Sequence, residues 1–294
     1  MNPSHTLPPS AAAPAVLESL RPSARMPVLF VGHGSPMNVI EDTAWRFNWR
    51  DLGQELLARP ERPQLILCIS AHWLTQGGWG LLGMAQPRTI HDFGGFPRVL
   101  YEQRYPAPGA PAVARTLAAQ LRSPATGEPL RLDEHEWGLD HGAWGVLLPM
   151  FPAADIPVLQ LSMDYSRPPA EHFALGQQLR ALRDQGVLIV ASGNIVHNLG
   201  YMRTGAGINA TYPWAHAFDA QVTELVRQDR LAELAQFQQW GQAEQVAELS
   251  HPTYEHFLPL LYAAGAVEPG ESLRFFNTGF QAASISMRSI AWGL

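Results

Sequence analysis

Histidine is the residue type with the widest chemical use in this sequence, and it occurs 11 times among 294 residues. Three of the histidines stand in short polar motifs: His33 in GHGSP, His72 in SAHW and His197 in ASGNIVHN. Neutral imidazole is a ligand that iron and zinc both favour, and its ordinary pKa of about 6.5 also suits proton transfer near neutral pH. The motifs therefore indicate metal binding, acid–base chemistry, or both.

Each of these motifs directly follows a short apolar run that is typical of a buried β-strand. Between such runs, hydrophobic residues recur every three or four positions, as in helices packed on a sheet. The segment 273–292 is expected to add an edge strand. The sequence thus predicts a single α/β domain with a mostly parallel central sheet flanked by helices. The predicted strands are residues 28–31, 65–69, 158–161 and 187–190, and the predicted helices are residues 110–121, 170–183 and 214–226.

The predicted topology brings the three histidines to one rim, because ligands of open α/β sheets bind beyond the carboxyl ends of the strands. Taken singly, each histidine has a structural explanation. These explanations are a turn between glycines for His33, a hydrogen-bonded core position for His72, and a position near a helix cap for His197. A shared metal ion explains all three positions together, and we favour it.

A further ligand is expected from residues 250–256, SHPTYEH. His251, Glu255 and His256 are all capable ligands, and a site of two histidines and one carboxylate would select Glu255. On a helix, neighbouring residues point about 100° apart, so Glu255 and His256 could not both face one ion. The residues alone leave this choice open.

Two other stretches carry candidate functional groups. His141 follows a carboxylate at a predicted loop-to-helix junction, and we expect it to bind substrate or support a ligand. Residues 91–97, HDFGGFP, fit either a turn or a lid over an aromatic ligand. By contrast, His5, His172 and His216 are interpreted as surface residues.

Composition excludes several classes of function. All 20 cationic side chains are arginines, so the chain has no lysine for Schiff-base, pyridoxal phosphate or P-loop chemistry. Cys68 is the single cysteine, which excludes disulfides, cysteine-based zinc sites and iron–sulfur clusters within one chain and favours a reducing compartment. The net charge of -6 predicts neither a nucleic-acid partner nor binding to an anionic membrane.

Residues 1–26 are rich in proline, serine and alanine and are predicted to form a flexible N-terminal extension before a domain spanning residues 27–294. The extension lacks the apolar region of a signal peptide. Elsewhere, no stretch approaches the roughly 18 uncharged apolar residues that would predict a membrane span. Cytoplasmic location is the expectation, and the oligomeric state stays open.

From Met26 to the C-terminus, the sequence resembles the 4,5-DOPA extradiol dioxygenase family, within the class III extradiol ring-cleaving dioxygenases. The resemblance implies an α/β fold, one non-haem divalent metal ion held mainly by histidines, and opening of a catechol ring beside its two hydroxyls with O2. Tyr254, where the related motif often has proline, and the N-terminal extension depart from the family. The motifs are GHGSPMN (32–38), SAHW (70–73), TIHDFGGFP (89–97), LDHGAWGVL (139–147), ASGNIVHNL (191–199) and EHFLPLLYAAGA (255–266).

The resemblance also implies roles for individual residues. His33, His72 and His256 match metal ligands of the family, which selects His256 over Glu255. His197 matches a position that is either a further ligand or the acid–base residue, and His141 matches a pocket histidine. We therefore expect His197, assisted by His141, to accept and return the protons of the reaction.

Fe(II) is the metal expected for activity, because zinc binds the same imidazoles but does not exchange electrons with dioxygen. Zn(II) is still an ion that such a site could hold in a crystal. Aromatic side chains near the motifs are candidates for contact with a planar ring: Trp73, Phe93, Phe96 and Trp144. Two alternatives use the same histidines: a zinc-dependent hydrolase, which needs no oxygen, and a non-catalytic metal-binding protein.

Overall fold

The computed structural model describes residues 17–203, 211–241 and 245–294. Its strands are β1 (Val28–Gly32), β2 (Leu65–Thr75), β3 (Gly80–Leu82), β4 (Arg131–Asp133), β5 (Val158–Asp164), β6 (Val187–Gly193), β7 (Leu273–Phe276), β8 (Phe280–Gln281), β9 (Ile285–Ser286) and β10 (Ser289–Trp292). Its α-helices are α1 (Ala44–Leu57), α2 (Arg98–Tyr101), α3 (Pro111–Gln120), α4 (His141–Met150), α5 (Pro169–Leu179), α6 (Pro213–Arg227), α7 (Val246–Ser250) and α8 (Leu258–Gly265). Short 3-10 helices cover Pro36–Val39, Arg180–Gln185, Leu199–Tyr201 and Leu231–Gln239.

The strands form an eight-stranded sheet in the order β4-β3-β5-β2-β6-β1-β10-β7. The central pairs β5–β2, β2–β6 and β6–β1 are parallel. The last two strands, β10 and β7, continue the sheet in antiparallel fashion, and β8 and β9 form a separate antiparallel pair. These features confirm the predicted α/β fold, its mostly parallel sheet and the added edge near the C-terminus.

The central strands are buried on both faces, which explains their continuous apolar character. Along β1, Val28 and Phe30 pack into the core on one side of the sheet, whereas Leu29 and Val31 pack into the core on the other. Helices α3, α5, α6 and α8 contribute to the first core, and α1 and α4 to the second. The sheet is therefore covered by helices on both faces.

The carboxyl ends of β2, β6 and β1 lie side by side and at the same level. Gly32 is in register with Gly193, and Ser70 with Ser192. Beyond Ser70, β2 continues to Thr75, but its register with β5 shifts between Ile69 and Leu74. Such an irregularity redirects side chains, and it contains His72.

The described part of the N-terminal segment, residues 17–26, has no helix or strand. Leu17 and Leu20 pack against the core, and Met26 is fully buried. The rest of the predicted extension, residues 1–16, lies outside the described residues, as does His5. Among the residues that the structure describes, no helix combines the length and the apolarity needed to cross a bilayer.

Candidate metal centre

Five histidines from separate parts of the chain meet at the carboxyl edge of the central strands. The ring centroids of His33, His72 and His256 lie 5.0–5.2 Å from one another. The ring of His141 lies 3.9 Å from that of His72, and the ring of His197 stacks on His256 at 3.5 Å with 7° between the planes. The structure thus brings together every histidine that the sequence analysis selected for the site.

Nitrogen atoms of His33, His72 and His141 are close enough to share one ion, and a ligand atom of His256 groups instead with ligand atoms of His197 and Glu255. The Nε2 atoms of His33 and His72 are 3.3 Å apart. Two nitrogens bound tetrahedrally to one ion at 2.0–2.1 Å would lie about 3.3 Å from each other. One nitrogen from each of His33, His72 and His141 also falls within a 4.8 Å set. The donors therefore fit a divalent metal ion.

Each of four rings has its Nδ1 next to a side-chain oxygen. Nδ1 of His33 is 3.0 Å from Ser192 Oγ, and Nδ1 of His256 is 2.9 Å from Glu255 Oε1. Nδ1 of His141 and Nδ1 of His72 both face Asp92 Oδ2, at 2.8 and 3.4 Å. Partners on the outer nitrogen orient metal-binding imidazoles and fix their tautomer.

The surroundings of four of these histidines favour the neutral form of each ring over the protonated form. Burial, followed by repulsion from neighbouring histidines, holds the pKa values of His33, His72 and His256 well below the ordinary value of 6.5. Burial and the nearby His141 lower the pKa of His197 to about 4. These four rings are therefore neutral at pH 7, which is the form that binds metal ions and accepts protons.

Two glycines allow the elements of the site to approach closely. A Cβ on Gly193 would lie 2.2 Å from the backbone oxygen of His256, so glycine at the end of β6 lets the His256 segment pack against the strand. A Cβ on Gly142 would lie 2.3 Å from Ser70 Oγ and 2.8 Å from His72 Cδ2. Glycine at the second residue of α4 therefore brings His141 next to His72.

Asp140 anchors the start of α4. Its Oδ1 accepts hydrogen bonds from Ser70 Oγ at 2.6 Å and from the Ala143 backbone at 3.1 Å, which caps the helix. Its other oxygen accepts from Trp137 Nε1 at 3.2 Å and from Gln160 Nε2. Burial and the nearby Asp92 carboxylate raise the pKa of Asp140. The loop-to-helix junction predicted at His141 is thus tied to β2 and β5.

The segment 250–256 differs from the helix that the sequence analysis considered. Residues 254–257 form a turn before α8 begins, so Glu255 and His256 are not related by helical geometry. The Glu255 carboxylate contacts the outer nitrogen of His256 and so supports this ring. His251, the other candidate, faces Ile195 O at 2.6 Å and packs against Phe218 and other phenylalanines.

Of the predicted aromatic residues, Phe93, Phe96 and Trp144 lie near one another, whereas Trp73 packs elsewhere. Phe93 is 5.4 Å from the ring of His141 and 5.3 Å from Phe96, so both belong to an aromatic group beside the histidines. Trp144 is fully buried, and its Nε1 donates to Ile90 O at 2.7 Å. Trp73 stacks on Trp137 at 5.8 Å.

Several features of the structure were missed or misjudged from the sequence. His172 was interpreted as a surface residue, but it is fully buried and bonds to Tyr262 Oη at 2.7 Å, because α5 packs against α8. His216 is exposed, as expected. The contacts of Ser192 and Asp92 with the histidines were not predicted, although Ser192 stands in the ASGNIVHN motif and Asp92 in the HDFGGFP motif.

Comparison with known proteins extends these findings. Residues 27–285 match the family model described as the catalytic LigB subunit of aromatic ring-opening dioxygenase. The chain is 46% identical over 280 residues to the 4,5-DOPA dioxygenase extradiol of Escherichia coli K12, covering 95% of this chain and 99% of that protein. It is 34% identical over 265 residues to the 4,5-DOPA dioxygenase extradiol of Beta vulgaris, with 88% and 94% coverage.

A more distant relative and a solved structure agree. The chain is 31% identical over 287 residues to the dioxygenase tasH of Hapsidospora irregularis, covering 91% of this chain and 85% of that protein. The crystal structure of an uncharacterized Escherichia coli K12 protein matches with a TM-score of 0.73 and 41% identity, covering 91% of this chain and 99% of that one. The chain therefore belongs to the metal-dependent family of the catalytic LigB subunit of aromatic ring-opening dioxygenases and is an extradiol ring-cleaving dioxygenase.

Proposed function

We propose that this chain is a non-haem Fe(II) enzyme that opens the ring of a DOPA-like catechol with O2. The observation that carries the proposal is the gathering of largely buried imidazoles, four of which have Nδ1 next to a side-chain oxygen, with the Nε2 atoms of His33 and His72 3.3 Å apart. The names of the relatives in Escherichia coli and Beta vulgaris support a DOPA-like substrate.

His33, His72 and His256 are the proposed metal ligands. They lie at nearly equal mutual distances, and Ser192, Asp92 and Glu255 face their outer nitrogens. When bound, ferrous iron supplies open positions for catechol and O2 together with redox capacity that zinc lacks.

His197 is the proposed acid–base residue rather than a fourth ligand. An imidazole donates its lone pair in the plane of its own ring, and the planes of His197 and His256 run parallel 3.5 Å apart. Parallel planes do not meet at one ion, so the stacking favours a separate task for His197. Burial lowers its pKa to about 4, so the ring is neutral at pH 7, which is the form that a proton acceptor needs, although a pKa nearer 7 would make it a stronger base.

His141 and the neighbouring aromatic group are proposed to bind the substrate. The outer nitrogen of His141 is held by Asp92, so its inner nitrogen is directed toward the cluster, where it assists His197. Phe93 lies at 5.4 Å from the same ring and offers an apolar face to a planar catechol. The chain thus orients the ring, excludes water with apolar side chains and moves the protons.

The decisive experiment is anaerobic reconstitution with Fe(II) and a panel of catechols that includes L-DOPA, followed by exposure to air. We expect one O2 to be consumed per catechol and a yellow ring-opened product to form, while zinc-loaded protein stays inactive. Hydrolysis of esters or amides by the zinc form without oxygen uptake would instead support a hydrolase. Reversible metal binding with no turnover would support a non-catalytic metal-binding protein.

Variants of the cluster separate the proposed roles. His33→Ala, His72→Ala and His256→Ala are expected to lose the metal ion, whereas His197→Ala is expected to retain it and to lose turnover. His216→Ala, at an exposed position outside the cluster, serves as the matched control. Metal retention by His33→Ala, His72→Ala and His256→Ala would contradict the ligand assignment.

A further inference from the structure

The carboxylate of Asp92 contacts two histidines of the site at once. Its Oδ1 accepts the backbone N–H of His141 at 2.8 Å, and its Oδ2 lies 2.8 Å from His141 Nδ1. The same Oδ2 lies 3.4 Å from Nδ1 of His72. The Asp92 side chain is 16% exposed, so these contacts are largely shielded from water.

This arrangement constrains where the imidazole protons lie. The Asp92 carboxylate accepts a backbone N–H on Oδ1 and faces imidazole nitrogens with Oδ2, and a carboxyl group with the ordinary pKa of about 3.9 is ionised at neutral pH. An ionised carboxylate has no proton to donate. His141 can therefore bond to it at 2.8 Å only by placing its own proton on Nδ1, and the contact of His72 at 3.4 Å favours the same tautomer in that ring. A proton on Nδ1 leaves Nε2 with a free lone pair.

The scaffold around Asp92 holds the two rings at a distance that one carboxylate can bridge. Ser70 receives the backbone N–H of His72 at 3.2 Å and donates to Asp140, the residue that caps α4 and precedes His141. The two imidazole centroids are 3.9 Å apart as a result. Asp92 lies on the separate segment 91–97, so its contacts connect a third part of the chain, besides β2 and α4, to the two histidines.

We propose that Asp92 is a positioning residue that locks His72 and His141 in the same tautomer, with Nδ1 protonated and Nε2 free. In His72 the free nitrogen serves the metal ion, and in His141 it faces the substrate. The inference rests on the proposed function for these two tasks. It also gives the segment 91–97 a role beyond a turn or a lid, because one residue of this segment couples metal binding to the substrate side.

Asp92→Asn tests the proposal with almost no change in volume. If the amide nitrogen faces the imidazoles, both Nδ1 atoms must accept, and their protons move to Nε2, where His72 can no longer bind metal. If the amide oxygen faces the imidazoles, the amide NH2 group takes the place of Oδ1 and faces the backbone N–H of His141, so that two donors meet and this hydrogen bond is lost. Neither orientation reproduces the native pattern, whereas Asp92→Glu keeps the carboxylate.

The first measurement is the tautomer state in metal-free wild-type protein, by two-bond ¹H–¹⁵N correlation spectra of ¹⁵N-histidine-labelled samples. His72→Gln and His141→Gln spectra assign the signals. We expect the Nδ1-protonated form for both residues in the wild type and the Nε2-protonated form for at least one of them in Asp92→Asn. Nε2-protonated His72 and His141 in the wild type would overturn the proposal without any variant.

The second measurement is metal affinity, by titration of the apoproteins with Co(II). We expect Asp92→Asn to lose about 10- to 100-fold in affinity and Asp92→Glu to recover part of it. Asp164→Asn is the matched control, because Asp164 is fully buried and bonds to Gly77 and Ser166 instead. Equal affinity of Asp92→Asn and wild type would refute the inference. Wild-type protein that binds metal but consumes no O2 with any catechol would refute the proposed function instead.

Discussion

Gly142 offers the sharpest test of how the site is packed, because Gly145 on the same helix provides a matched control. A Cβ on Gly142 would lie 2.3 Å from Ser70 Oγ and 2.8 Å from His72 Cδ2, whereas a Cβ on Gly145 would meet no atom within 4 Å. Gly142→Ala therefore forces α4, the Ser70 hydroxyl or the His72 ring to move by about 1 Å to restore ordinary contacts near 3.5 Å. Gly145→Ala forces no movement.

The expected free-energy changes have opposite signs. Replacing a helical glycine by alanine stabilises by roughly 0.5–1 kcal/mol where space allows, which is the expectation for Gly145→Ala. Overpacking costs typically 1–3 kcal/mol, so Gly142→Ala should be net destabilising even after the helical gain. Because both variants gain the same helical contribution, they should differ by the overpacking cost itself, about 1–3 kcal/mol, which corresponds to roughly 2–5 °C in the unfolding midpoint for a domain of this size.

Thermal or chemical unfolding of the metal-free variants measures this difference, and Co(II) titration measures its consequence at the site. Because the Cβ of Gly142→Ala also displaces the His72 ring, we expect a loss of metal affinity in this variant alone. Equal stability and equal affinity of the two alanine variants would refute the packing argument, since it would mean that α4 has room at Gly142.

Three further predictions concern the buried polar groups. Ser192→Ala removes the partner of His33 Nδ1 and should weaken metal binding by about 10-fold in the same titration; unchanged affinity would mean that Ser192 does not orient the ring. Burial lowers the pKa of His172 to about 4, below the unfolded value of about 6.5, so its stabilising contribution is present above pH 6.5 and is lost as pH falls toward 4. In metal-free protein, wild type should lose about 3 kcal/mol more than His172→Gln over this range, and parallel urea-unfolding curves would contradict this. Finally, a metal concentration of 100 times Kd should stabilise by about 2.7 kcal/mol, so the melting temperature should fall on chelation in wild type but not in His33→Ala.

The architecture was predictable because the central strands are buried on both faces. A strand of this kind reads as an unbroken apolar run, and the runs at residues 28–31, 65–69, 158–161 and 187–190 became β1, β2, β5 and β6. The short strands β3 and β4, next to β5 at one side of the sheet, escaped prediction, since three residues are too few for a periodic pattern. The continuation of β2 to Thr75 also escaped, because its end is polar and irregular.

The convergence of the histidines followed from the predicted topology, but the geometry of each ring did not. Strand order places His33, His72 and the β6 motif at one edge, which is a statement about the backbone. That His197 stacks on His256 depends on a turn and on the path of the segment before α8. The expected conflict between Glu255 and His256 assumed a helix, and it disappears in a turn where one side chain supports the other.

The contacts outside the histidines explain why the site is both functional and demanding for the fold. Burial holds several neutral imidazoles close together, and the Nε2 atoms of His33 and His72 lie 3.3 Å apart, where one must carry a proton that the other accepts when no metal is bound. A bound cation takes the place of that proton and attracts both lone pairs, so the same packing favours metal binding. Protons compete for the same nitrogens, and acid should therefore release the metal before it unfolds the protein. The oxygens of Ser192, Asp92 and Glu255 contact the Nδ1 atoms of His33, His72 and His256. The Nε2 atoms of these rings are therefore the ones for which the metal ion and protons compete.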